Sequence, residues 1–281
     1  MGKKEKKAQK KLEEQLKAAK EQWYKDNLAS PETIKITPKN EEQRAYLKAM
    51  QENDLVVSEG PAGTGKTFLA VAFALKRLKS GEIKKIILTR PAVEAGEELG
   101  FLPGDLKDKI SPYLRPVFDA ITEISGWNQE QLDQMIERRN IEVAPLAYMR
   151  GRTLSDAVVI LDEAQNTTVE QMKMFITRCG NNTRMIVNGD ASQNDLGKHQ
   201  ESGLKYLLNA MRFLPPQSQR ESKSAVVSFS EKSVIRSPLV SDFVKAFTAL
   251  EDQGKDKIPP KVVGRQDELT VEVNWRERTI Q

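Results

Sequence analysis

The sequence predicts an α/β protein in which a mostly parallel sheet carries helices on both faces. Three observations predict it. Leu55-Val56-Val57, a short apolar run, leads into a glycine-rich loop and then into residues 68–75, a stretch of helix formers without Gly or Pro. Ala157-Val158-Val159-Ile160-Leu161 is aliphatic at every position, as a strand buried on both faces is. Two further aliphatic runs, Ile86-Ile87-Leu88 and Met185-Ile186-Val187, alternate with segments of helical period.

At 281 residues the chain suits one large domain, or one domain with appendages, and can bury a sizeable core. No stretch approaches the roughly 20 apolar residues of a membrane helix, and no apolar segment follows Met1-Gly2-Lys3-Lys4-Glu5, so neither a span nor a secretory signal is expected. A single cysteine, Cys179, excludes an internal disulfide and fits a reducing, cytoplasmic location. A single histidine, His199, removes His/Cys zinc clusters and disfavours His-based triads, and is itself read as a polar loop residue. Residues 1–26 hold nine Lys against five Asp/Glu, which accounts for the whole net charge of +4 and leaves the body neutral.

Taken in order, residues 1–33 form a basic helical extension. Leu12, Leu16, Ala19 and Trp23 fall on one thin apolar stripe of it. That stripe suits a docking arm, an electrostatic handle for nucleic acid, or simply a solvated helix. Ile34 and Ile36 read as a short strand, and Asn40 as the cap of a helix that opens with Glu41-Glu42. Gln43, just upstream of the first core strand, is placed to hydrogen-bond an adenine edge or to be an ordinary surface glutamine.

The loop itself is Gly60-Pro61-Ala62-Gly63-Thr64-Gly65-Lys66-Thr67, a complete G-x-x-x-x-G-K-T between strand and helix. Its glycines let backbone N–H groups turn inward around anionic oxygens, at the positive end of the next helix. Lys66 can reach the β- and γ-phosphates of a nucleotide, and Thr67 can offer its hydroxyl to Mg²⁺. ATP and Mg²⁺ are therefore the expected cofactors.

After the strand at 84–89, residues 91–153 break the strand–helix rhythm and read as an insertion on the ligand side of the sheet. The insertion holds a helix from Ser111-Pro112 to Ile124 and another over 129–139. The aliphatic strand at 157–161 then ends in Asp162-Glu163, where parallel-sheet enzymes place their chemistry. Asp162 suits a Mg²⁺ shell, and Glu163 is positioned to orient or deprotonate an attacking water. A helix over 169–178, ended by Gly180, precedes the strand at 184–190 and a polar turn. In that turn Gln193 is the candidate contact for the γ-phosphate. A helix over 202–213, a last core strand over 225–229 and a final helix over 240–250 follow, with Arg236 just before the last. The tail, 251–281, is polar with a short alternating strand at 269–273.

These residues together resemble the PhoH family of single-domain P-loop ATPases, over about 34–250. The resemblance rests on several runs in order: Thr89-Arg90-Pro91-Ala92-Val93, then Gly96-Glu97, Gly100-Phe101-Leu102-Pro103-Gly104-Asp105-Leu106 and Pro112-Tyr113-Leu114-Arg115-Pro116. Arg150-Gly151-Arg152-Thr153-Leu154, Leu161-Asp162-Glu163-Ala164-Gln165-Asn166 and Gly189-Asp190 with Gln193 and Asp195-Leu196 complete it. It implies a three-layer RecA-like core similar to superfamily 1 helicases, assembled as a ring (a hexamer), with a role in RNA or DNA handling and phosphate stress. The same resemblance assigns Gly60 to Thr67 to phosphates, Asp162 to Mg²⁺, Glu163 to water and Gln193 to sensing. Arg236 matches only partly, because Ser237 stands where a histidine is expected; with one lobe to hand, Arg236 is expected to act in trans as an arginine finger. The compact length and lysine-rich leader are similar to phage-encoded members, which would place the protein in a host's cytoplasm.

The leading expectation is thus an oligomeric, Mg²⁺-dependent ATPase acting on RNA or single-stranded DNA, with Arg90, Tyr113, Arg115, Arg150 and Arg152 offered to the strand. The alternative is a nucleotide-switched scaffold that hydrolyses slowly and moves nothing. A kinase is disfavoured, because it has no use for a water-activating Glu163.

Overall fold

In the computed structural model the described residues are 34–91, 106–193, 200–215 and 223–235, with isolated positions outside these runs. Six strands make one sheet in which every described pairing is parallel: β1 (Leu55–Glu59), β2 (Lys85–Thr89), β3 (Ile141–Val143), β4 (Ala157–Leu161), β5 (Thr183–Gly189) and β6 (Ser224–Ser228). Their order is β3-β2-β4-β5-β1-β6. The loop-bearing β1 and the acid-bearing β4 are therefore not neighbours, because β5 lies between them. The gap this leaves at the C-terminal ends of β1 and β4 is the crevice where such sheets bind ligands.

Period-two alternation explains why the strands read as unbroken apolar runs. Ile86, Leu88, Val158, Ile160 and Ile186 pack on one face, beneath α1 (Glu41–Glu52), α2 (Lys66–Lys79) and α3 (Leu106–Ser125). Ile87, Val159, Leu161, Met185 and Val187 pack on the other, with Phe175 of α5 (Val169–Ile176) and Leu204 of α6 (Gly203–Phe213). The helix starts follow side-chain chemistry. Asn40 Oδ1 accepts from Gln43 N at 2.8 Å to open α1. Asn128 and Gln131 form a reciprocal capping box at α4 (Gln129–Glu137), as do Thr168 and Gln171 at α5.

Three expectations change. Residues 34 and 36 form no strand; Ile34 and Ile36 lie along the core in irregular chain, so burial rather than pairing explains their spacing. The helix expected from Ser111 begins at Leu106, because proline's fixed φ is also the φ of a helix interior and does not by itself mark a start. The stretch 91–153 is not wholly a ligand-side insertion. Its β3 pairs with β2 from Ile86↔Ile141 to Leu88↔Val143, and Val117 and Ile121 of α3 belong to the main core. From α3 onward it is a sheet crossover that ends in an edge strand. Apart from isolated positions, the expected 1–33 extension and the final helix lie outside the described residues, as does the tail strand.

Candidate nucleotide site

Between β1 and α2 the chain must turn sharply over a phosphate-sized space, and three glycines there have positive φ: Gly60 (142°), Gly63 (82°) and Gly65 (84°). At Gly60 the requirement is double, since a Cβ would strike the Phe229 carbonyl and lie 2.7 Å from Phe229 Cβ. Phe229 belongs to a strap, residues 229–235, that leaves β6 and crosses to the loop. Phe229 N donates to Glu59 O at 2.7 Å, and Ile235 N donates to Gly63 O at 2.9 Å. Glu42, in the first turn of α1, accepts from Ser233 Oγ, from Ser230 Oγ at 2.7 Å and from Ser230 N at 2.9 Å. The Ser233 bond, foremost among these, holds the Glu42 carboxyl below its ordinary range.

Lys66 is half-buried, and its ammonium folds onto the loop, donating to Gly60 O at 2.5 Å and Pro61 O at 2.9 Å. Burial pushes its pKa down, and Asp190, Asp162 and Glu163 in that order pull it back up. An arriving polyphosphate would supply anionic oxygens in place of those carbonyls. Thr67 Oγ1 donates to Asp162 Oδ1 at 2.7 Å, joining the start of α2 to the end of β4. These are hard oxygen donors, and among the described residues no cluster of three or more metal-ligating side chains exists. Mg²⁺, which takes one or two protein oxygens and completes its shell with water and phosphate, fits that pair.

The structure adds what the sequence did not show. Arg90, at the end of β2, reaches Asp162 Oδ2 through Nε at 3.0 Å and through Nη2. Gln165, 2% exposed, donates to Glu163 Oε2 at 2.7 Å and accepts from Asp190 N at 3.0 Å. It therefore spans from the Glu163 carboxylate to the β5 turn. Asp190 Oδ1 accepts from Ser192 N and Oγ, its main-chain O accepts from Gln193 N, and its buried Oδ2 has no partner among the described residues. The backbone of Glu163 is left-handed, with φ 55°, which turns its exposed side chain out of the strand direction.

A cavity of about 260 Å³ gathers Ala62, Gly63, Thr64, Gly65, Lys66 and Thr67 with Asp162, Glu163, Asp190 and Gln193. The structure thus brings most of the expected residues together, with Gly60 and Pro61 at the root of the loop. Gln43 is not there. It is 3% exposed, donates to Thr64 O at 3.0 Å and accepts from Lys39 N at 2.7 Å, so it braces the loop from beneath rather than sitting on the surface. Arg236 and His199 lie outside the described residues. Of the side chains offered to a nucleic-acid strand, Arg90 is spent on Asp162 and Arg152 on Glu142, with Nη2 to Oε2 at 2.8 Å. Arg115 and Arg150 are exposed, and the Tyr113 side chain lies outside the described residues. Gln165 and Asp190 stood in sequence only as members of the runs that carry the family resemblance, with no role assigned to either.

Residues 35–248 match the family model described as PhoH-like protein. The chain is 54% identical over 205 residues to the PhoH-like protein of Bacillus subtilis, covering 73% of this chain and 61% of that one. It is 43% identical over 219 residues to protein PhoH of Escherichia coli K12, covering 78% and 60% respectively. It thus spans about three-fifths of the length of the curated relatives it matches. Among solved structures, the large terminase of a thermophilic bacteriophage aligns with TM-score 0.45 at 12% identity, over 74% of this chain and 50% of that one.

Proposed function

The chain belongs to the PhoH-like family, and on that premise we propose that it is a Mg²⁺-dependent ATPase. The observation that carries the reading is the convergence on one cavity of Lys66, the Thr67–Asp162 pair at 2.7 Å, Glu163 and Gln193. A glycine-rich loop alone binds anions; a loop facing an acidic strand end across an intervening strand can also handle water. In the proposed reaction the loop N–H groups and Lys66 hold the β- and γ-phosphates. Bound Mg²⁺ would supply charge neutralisation there, held through Thr67 and Asp162. Glu163, steadied by Gln165, orients a water and takes its proton as the oxygen bonds to the γ-phosphorus. The bond to the β–γ bridging oxygen breaks, and ADP and phosphate leave. Gln193, tethered to Asp190, follows the γ-phosphate.

Lys66 is the one cation lining the cavity among the described residues. A second positive charge for the transition state fits Arg236 acting across a subunit interface of a ring, of which a hexamer is the expected size. Inactive Lys66→Ala and Arg236→Ala chains should then partly restore each other's hydrolysis when mixed, and no restoration would remove the trans model. The proposed substrate is RNA or single-stranded DNA, with exposed Arg115 and Arg150 as backbone contacts.

The test is ATP hydrolysis at low salt, with and without single-stranded RNA and DNA, beside Glu163→Gln. Glu163→Gln should lower the rate by about 10²–10⁴-fold while nucleotide still binds. The strand that stimulates more identifies the substrate class. Hydrolysis indifferent to both strands would favour a nucleotide-switched scaffold, a reading supported by the commitment of Arg90 and Arg152 to internal ion pairs.

A further inference from the structure

Phe68 directly follows the loop's Thr67 in the first turn of α2. The next residues of that helix, from Leu69 to Leu75, are buried, as is Leu78. Phe68 instead is 41% exposed and lines the cavity that holds the loop. It is the one aromatic lining that cavity among the described residues. Core packing therefore does not explain an aromatic at this position, and neither does a hydrogen bond, which a phenyl ring cannot make.

The polarity of the loop fixes which part of a ligand meets that ring. Lys66 and the N–H groups of the loop take the terminal phosphates, so the chain of phosphates runs back toward the first turn of α2, and sugar and base come next beyond it. The residue offered to a base edge by sequence, Gln43, is turned inward. At 3% exposure its amide is held by Thr64 O and Lys39 N, and a Cβ on Gly65 would lie 3.1 Å from its Nε2. Among the described residues a ring face is on offer to the base at the cavity, and the amide of Gln43 is not.

We propose that Phe68 is the platform on which the nucleobase stacks, so that the site takes nucleoside triphosphates with little discrimination between bases. This rests on the nucleotide reading above and deepens it. Every base has a π-face, so stacking contributes affinity without selecting a purine edge. Edge recognition, by contrast, rejects the wrong base because buried polar groups are left unpaired.

The experiment is titration calorimetry of the full chain with the Mg²⁺ complexes of ATP, GTP and CTP and with inorganic tripolyphosphate, for wild type, Phe68→Ala and Phe68→Trp. The wild type should bind ATP and GTP within about threefold of each other. Phe68→Ala should weaken all three nucleotides by about tenfold or more and leave tripolyphosphate unchanged, which also shows that the variant is folded. Phe68→Trp should retain nucleotide affinity, and its added fluorescence should be quenched by ATP and GTP but not by tripolyphosphate. That measurement stands if the alanine variant fails to fold. Phe68→Ala binding ATP as tightly as wild type would overturn the proposal. So would a wild-type preference for ATP over GTP of more than about thirtyfold, which would return base recognition to an edge contact. Tripolyphosphate binding separates this failure from failure of the nucleotide reading, since a protein that bound neither tripolyphosphate nor ATP would have no nucleotide site at all.

Discussion

Arg90 and Arg152 hold comparable pairs in two different regions of the same sheet. Arg90 closes onto Asp162 at the centre, where β2 and β4 end; the two side chains are 17% and 6% exposed. Arg152 closes onto Glu142 at the edge, where β3 meets the turn around residue 149; there the side chains are 33% and 28% exposed. In sequence both are arginines placed near the ligand side of the sheet. In the structure the central pair orients a buried carboxylate beside Thr67, whereas the edge pair ties a three-residue strand to its following turn. The difference teaches that an arginine's role here is set by what its carboxylate does, and that burial sets how much the pair matters.

The largest expected effect breaks the central pair. Arg90→Ala leaves the Asp162 side chain buried with Thr67 as its hydrogen-bond partner among the described residues, and should destabilise the fold by about 3–5 kcal/mol, read from urea denaturation at neutral pH. Arg152→Ala should cost about 1 kcal/mol in the same assay, because water reaches both partners and solvates Glu142 when the arginine is gone. Equal costs at the two sites would end the distinction. A double-mutant cycle sharpens it: the coupling of Arg152 with Glu142 should be about 0.5–1 kcal/mol.

These pairs also mark what was legible in the sequence. The loop and β4 were legible because their signals are local: a fixed glycine spacing in one case, five consecutive aliphatics in the other. The cap at Asn40 belongs to the same class, since the cap oxygen and the N–H that donates to it lie three residues apart. β3 was not legible as a sheet strand, because Ile141-Glu142-Val143 is too short to show alternation and its Glu is explained only by Arg152. Arg90 and Asp162 stand 72 residues apart, and Gln43 and Thr64 stand 21 apart; no local pattern announces either contact. Gln165 looks like any polar residue after an acidic pair until β5 brings Asp190 N to its amide oxygen.

The smallest expected effect concerns pH and belongs to the edge pair alone. The Arg152 hydrogen bonds hold the Glu142 carboxyl below its ordinary value of 4.5, against the opposing effect of its partial burial. A carboxyl whose folded pKa is depressed binds fewer protons in the folded than in the unfolded chain, so the stability it contributes is complete above the unfolded value. That stability is lost as pH falls from about 4.5 through the folded value. Other carboxyls, Glu42 and Asp156 among them, are also held low and weaken the wild type in the same range, so wild-type stability alone is uninformative. The difference between wild type and Arg152→Ala isolates the pair. It should be about 1 kcal/mol at pH 7 and should shrink as pH falls below about 4.5, once Glu142 is protonated in both proteins. A difference that held constant across that range would mean that Arg152 stabilises the edge through its Nη1 contact with Met149 Sδ rather than through its pairing with Glu142, and the likeness between the two pairs would then be one of geometry only.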